Sequence, residues 1–166
     1  MTTDMVPVRY IPFGLSAVDT TKQKAMLNKS KKLYKQRKYY TRKRLASYKS
    51  KPSSHLADAR RIYGVENITP NAALAEATGC TISAMEQIVR KGEGAYFSSG
   101  SRPNQTAQSW GLARLASSLT AGKSAAIDYD ILKNGCHHRK KAFRLANQSR
   151  KKYGKGLGRT KHRRLG

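Results

Sequence analysis

Thr69 to Gly92, TPNAALAEATGCTISAMEQIVRKG, decides the fold class, because two helices are written into it together with their punctuation. Thr69-Pro70 sets an N-cap before a proline at the first helical position, and Gly79 closes the short Ala-rich helix through Ala72 to Thr78. Thr81 or Ser83 opens a second helix in which Ile82, Met85 and Val89 recur at helical spacing, with Gly92 as its stop. Residues 72–91 also have the layout of a helix-turn-helix, with Ala75 before the Gly79 turn and Met85 and Ile88 inward. The outward face of the second helix offers Thr81, Ser83, Glu86 and Gln87, with Arg90 and Lys91 as its cations, so a plain helical hairpin competes with DNA reading.

The same grammar extends in both directions. Downstream, the loop GEGAYFSSGSRPNQ (92–105) leads to a Thr106-capped helix with an apolar face of Leu112, Leu115, Ala116 and Leu119, stopped by Gly122. Ile127, Ile131 and Leu132 mark a short helix ending at Gly135, and Ala142, Leu145, Ala146 and Ser149 trace a last amphipathic one. Upstream, Pro52-Ser53-Ser54 starts a helix carrying Leu56, Ala59 and Tyr63 to Gly64. Thr20 to Gln23 fits a capping box for a long basic helix striped by Met26, Ser30, Leu33 and Arg37. Beyond Tyr153, GKGLGRTKHRRLG reads as a tail that orders only on a partner. With no strand and no internal repeat, the expected class is all-α: a helical core at 64–135, an N-terminal extension with a basic Tyr/Lys-rich helical arm at 1–63, and a basic C-terminal helix and tail at 136–166.

Charge follows the same division. The 166 residues hold 34 Lys+Arg against 9 Asp+Glu, a net charge of +25. Residues 21–63 carry +14 and residues 133–166 carry +13, whereas 1–20 and 64–132 are each at −1. Two basic arms around a near-neutral core call for an anionic partner. The apolar content suits one core of roughly 60 to 100 residues, hence one domain. No apolar run approaches the ~18 to 20 residues of a bilayer span, and no signal peptide opens the chain, so the protein is expected not to span a membrane and to be intracellular or packed in a particle. Cys80 and Cys136 cannot build a disulfide framework and suit a reducing compartment.

The candidate polyanion contacts are Lys31, Lys32, Lys35, Arg37, Lys38, Arg42, Lys43 and Arg44 in the first arm, and Arg139, Lys140, Lys141, Arg150, Lys151 and Lys152 in the second. Tyr34, Tyr39, Tyr40, Tyr48 and Tyr63 interleave with the first set, rings that can stack on a base or anchor in a protein groove. Ser99, Ser101, Arg102, Asn104 and Trp110 mark the loop as a candidate partner site, with a rigid structural loop packed on Trp110 as the alternative. Ala121 to Ser124, AGKS, lacks the upstream glycine and the strand of a phosphate loop and reads as a helix stop and turn. Cys136-His137-His138 has no second cluster to complete a metal site. Asp128 and Asp130 lie two apart, on different sides of a helix, and no nucleophile-base pair is visible, so no catalytic residue, metal or cofactor is expected.

The segments KGEGAY, SSGSRPNQT, SWGLAR and GK, followed by an acid, an IL pair and GC between Lys91 and Cys136, resemble an uncharacterised domain of small basic proteins from large eukaryotic DNA viruses and some phages. The Lys/Tyr-rich run before them resembles the region preceding that domain in viral members. The resemblance implies a virion-associated role and brings no activity or site residues. The expected function is a non-enzymatic virion structural protein, a minor capsid or internal particle component. Its partners would be capsid proteins, viral DNA or both, with no small-molecule substrate. It would reside in the virion, and in host cytoplasm or nucleus during assembly. The alternative is a nucleic-acid-binding protein for packaging or transcription, using the 72–91 hairpin; an enzyme acting through the 98–105 loop ranks below both.

Overall fold

The computed structural model describes residues 4–51, 53–156 and 160–165. Among them run, in order, β1 (Asp4–Pro7), α1 (Ala17–Lys35), α2 (Ser54–Tyr63), α3 (Ala72–Thr78), α4 (Ile82–Ser98), α5 (Ala107–Leu119), α6 (Lys123–Ile127), α7 (Tyr129–Gly135), α8 (Lys141–Tyr153) and β2 (His162–Leu165). Eight helices carry the structure, as the capping signals require. Where one domain was expected, the chain forms two compact units: a helical unit of Pro52–Glu93 and Gln108–Gly158, and a terminal unit of Met1–Lys51, Gly94–Ala107 and Arg159–Gly166.

In the helical unit, Leu74, Met85, Ile88, Leu115, Leu119 and Leu132 are fully buried in one apolar cluster. Each such side chain contributes about 1.5 to 3 kcal/mol relative to exposure. Ala59 from α2 and Ala142, Phe143 and Ala146 from α8 belong to the same cluster, so this core reaches beyond 64–135 on both sides. Gly64 and Gly79 close α2 and α3 in the left-handed conformation, as read from the sequence. Pro52, expected at the start of α2, lies outside the described residues; Ser53 is the N-cap. The cap of α3 is Asn71 rather than Thr69: its side chain accepts the Leu74 N–H at 2.8 Å.

Gly92 does not stop α4, which runs on through Gly94 to Ser98. Its role is packing. A Cβ on Gly92 would lie 2.6 Å from the Gly111 Cα of α5, so the two glycines let the helix backbones touch. The expected helix around Ile127 to Gly135 is two, α6 and α7, broken at Asp128.

The two cysteines, read as suiting a reducing compartment, form a disulfide with each other. Thr81 N–H donates to Gly135 O and His137 N–H to Gly79 O, both at 2.8 Å, which sets Cys80 and Cys136 opposite each other in an isolated antiparallel bridge. That is the non-hydrogen-bonded pairing in which facing side chains come closest. The bond clamps the α3–α4 turn to the α7–α8 loop across a sequence separation of 56, worth about 4 kcal/mol in the chain-entropy account.

The terminal unit contains the helix expected of the first arm, with different bounds and further contacts. α1 begins under Ser16, whose Oγ accepts the Asp19 N–H, four residues before the expected capping box. Gln23, assigned to that box, is instead buried and donates to Tyr10 O at 3.1 Å. Met26, Leu27 and Ser30 complete the buried stripe, and the helix stops at Lys35. The tail also departs from expectation. β2 pairs antiparallel with β1, Asp4 opposite Leu165 and Pro7 opposite His162. Arg163 fastens this pairing by donating to Ile11 O and Pro12 O while its guanidinium covers the Phe13 ring. Tail residues 157–159 and 166 lie outside the described residues.

Candidate polyanion interface

Thirteen of the fourteen cations singled out from the sequence are exposed. In the terminal unit, Lys31, Lys32 and Lys35 occupy the second half of α1, Arg37 and Lys38 the turn after it, and Lys43 and Arg44 the segment beyond. In the helical unit, Arg139 and Lys140 precede α8, Lys141 begins it, and Arg150, Lys151 and Lys152 fill its last turn, where they complement the helix dipole. The sequence has no acid from 20 to 57 and none from 131 to 166, so no carboxylate within these stretches neutralises them.

Arg42 is the exception and a correction. It is buried, and its Nη1 donates to Ser30 Oγ at 3.0 Å and Tyr96 O at 2.8 Å, its Nη2 to Ser101 Oγ at 2.8 Å. The guanidinium lies 3.8 Å from the centroid of the Tyr96 ring, whose hydroxyl accepts the Arg42 N–H. Burial holds its pKa below the ordinary arginine value. The side chain is buried among neutral acceptors and a ring, out of reach of an external phosphate.

The loop after α4 is the other half of that socket. Ser101 takes the Arg42 bond and donates to Arg102 O. Asn104, with φ of 63°, accepts the Leu45 N–H at 2.7 Å through Oδ1 and donates through Nδ2 to Leu45 O and Tyr48 O. Ser101 and Asn104 thus hold the 42–48 segment, while Ser99 and Arg102 are exposed. Trp110 is half-buried on α5.

The 72–91 hairpin has the inward residues a helix-turn-helix needs, since Leu74, Met85 and Ile88 are fully buried. Its cations are otherwise occupied. Arg90 pairs with Glu86 at 3.7 Å, and Lys91 donates to Asp128 at 3.1 Å.

Sequence reasoning missed the role of Asp128. Its carboxylate is buried and accepts two bonds from Arg114, Nε to Oδ2 at 2.9 Å and Nη2 to Oδ1 at 2.7 Å, besides those from Lys91 and Ser118. Burial alone would raise its pKa, but the Arg114 hydrogen bonds and charge outweigh it and hold the carboxyl below its usual range. The available signal was an arginine in SWGLAR followed by an acid near a helix break; spacing alone did not join them. Asp130 is exposed.

Among the described residues, no group of three or more His, Cys, Asp or Glu could hold a metal ion. Cys136 is taken by the disulfide, and the His138 ring stacks on Phe143 at 4.3 Å. Gly122 of the AGKS stretch donates its N–H to Ser117 O, and helix α5 rather than a strand precedes it. No helix of the described residues is long and apolar enough to cross a membrane.

A family model described as "Family of unknown function (DUF5824)" matches residues 7–136. No curated protein matches the chain, and no solved structure does.

Proposed function

We propose that this chain, which belongs to the family of unknown function DUF5824, is a non-enzymatic structural protein that binds a polyanion inside a virus particle. The observation that carries the reading is the set of thirteen exposed cations lying in two stretches without a single acid. Such a surface repels itself unless phosphates or carboxylates neutralise it. The Asp128 cluster and the Arg42 socket give each unit internal support of its own, so the exposed cations remain for a partner. The likeness of KGEGAY, SSGSRPNQT and SWGLAR to segments of small basic viral proteins supports placement in the particle, after assembly in host cytoplasm or nucleus. Neighbouring capsid proteins and the genome are the candidate polyanions.

A second reading, a genome-packaging protein, is favoured by the exposed Tyr39 ring, 70% accessible among the lysines. Groove reading by the 72–91 hairpin has less support, because Arg90 and Lys91 are paired within the unit.

The test combines two measurements. Mass spectrometry of purified particles should find the chain among their proteins, and its absence would overturn the particle role. The purified chain should bind duplex DNA or heparin saturably at low salt, and failure to bind either, or any acidic capsid protein, would overturn the polyanion reading.

A further inference from the structure

The exposed rings at the end of α1 are held in place by the backbone. Arg37 N–H donates to Tyr34 O and Lys38 N–H to Leu33 O, each at 2.9 Å, closing the helix in a Schellman motif. Arg37 sits at its left-handed position with φ of 59°, where glycine is the unstrained residue. The reversal returns Tyr39 to the side of Tyr34, ring centroids 6.3 Å apart at 55°. On its other side Tyr39 meets Phe97 at 5.1 Å and 48°, and Phe97 stands edge-on at 5.1 Å to Tyr96, the buried ring on which Arg42 rests. A row of rings therefore leads from the Arg42 socket to solvent. Its outer members, Tyr34 and Tyr39, are 38% and 70% exposed.

An aromatic row ending in solvent is out of place on an inert basic surface. Lys31, Lys35 and Lys38 are exposed within a few residues of the two tyrosines, and the strained turn position itself carries a cation. Ring faces for bases beside cations for phosphates are the two parts of a single-strand binding surface. A duplex fits poorly, because its bases are already stacked on one another and must be unstacked before a ring can reach a face. An acidic protein could seat the rings in a groove, but flat ring faces side by side with lysines match the alternation of base and phosphate along a single strand more closely.

We propose that Tyr34, Tyr39 and Phe97 form a stacking platform for the bases of single-stranded nucleic acid, with Lys35, Arg37 and Lys38 along its phosphates. This rests on the polyanion reading and adds a base-dependent component to it.

The experiment is fluorescence anisotropy of the full chain with labelled oligo(dT), oligo(rU) and a duplex of equal length, with labelled heparin as a polyanion without bases. The expected result is preference for the single strands and about a tenfold loss of single-strand affinity in Tyr39→Leu. Duplex and heparin affinity should stay unchanged in that variant, and Tyr39→Trp should retain single-strand binding. Tyr34→Leu, on the neighbouring ring, is the second variant, and circular dichroism checks that each is folded. The ratio of the oligo(dT) and oligo(rU) affinities tells DNA from RNA. If Tyr39→Leu and Tyr34→Leu both leave single-strand affinity intact, or weaken all ligands equally, the platform is overturned while the polyanion reading stands. If the unmodified chain binds none of the four, the platform is overturned, and the polyanion reading falls with it only when acidic capsid proteins also fail to bind.

Discussion

Arg42 and Arg102 belong to the same socket and have opposite prospects. The Arg42 guanidinium donates to a backbone carbonyl and two serine hydroxyls, and no carboxylate pairs with it among the described residues. Arg42→Met should therefore destabilise the terminal unit by about 3 kcal/mol or more, since those acceptors would be left unpaired. Arg102→Ala removes an exposed side chain and should change stability by less than about 0.5 kcal/mol. Urea unfolding of both variants checks the contrast; a larger loss for Arg102→Ala would mean that the loop is held by its guanidinium rather than by Ser101 and Asn104. In the sequence Arg42 is one cation among many. What buries it are Tyr96 and Ser101, 54 and 59 residues further on, a pairing that no local pattern announces.

Helix ends were legible where the residue type and the geometry agree, and opaque where they part. Gly64 and Gly79 stop helices because they alone take the left-handed conformation without strain, and both were read correctly. Gly92 has the same side chain and a different task, the contact with Gly111, so its reading as a stop failed. Arg37 takes the left-handed position with a residue type that gives no warning. Asp128 shows the same limit for charge, because its partners come from α4 and α5 while its own neighbours suggested only a short helix. Its lowered pKa fixes the sign of a pH effect. An unfolded aspartate titrates near 3.9 and the folded one lower, so its contribution is complete above the unfolded value and is lost as pH falls through the folded one. Asp128→Asn should be less stable than the unmodified chain by about 3 kcal/mol near neutral pH. The gap should narrow below about pH 4. Asp19, whose carboxyl is lowered by the Ser47 hydrogen bonds, is present in both proteins and cancels in the difference. Thermal melts of the pair across acidic pH supply the measurement, and a gap that widened with acid would reject Asp128 as the stabilising carboxylate.

At the scale of the whole molecule, dividing the chain by charge picked out thirteen exposed cations and the buried Arg42, while the compact units follow other bounds. The first basic stretch holds more than a helical arm: α1 buries Met26 and Leu27, and the 42–48 segment is fixed by Arg42 and Asn104. The cations are thus displayed from folded backbone in each unit, so each set can be tested as a fixed patch. Each phosphate contact contributes about 0.7 to the slope of log affinity against log salt for a single strand and about 0.9 for a duplex. Replacing Lys31, Lys32, Lys35, Arg37 and Lys38 together by Gln should flatten the single-strand slope by up to about 3.5 if all five meet phosphates. The set Arg150, Lys151 and Lys152, changed alone, should flatten it by up to about 2. Should both patches engage one strand, the losses add in the combined variant; should only one engage it, the other substitution leaves the slope where it was. Arg42→Met provides the internal contrast, because it removes a positive charge of the same stretch that no phosphate can reach. In the fraction that remains folded, its slope should match that of the unmodified chain, and a slope flattened by Arg42→Met as much as by an exposed lysine would show that net charge, rather than the displayed patch, governs binding.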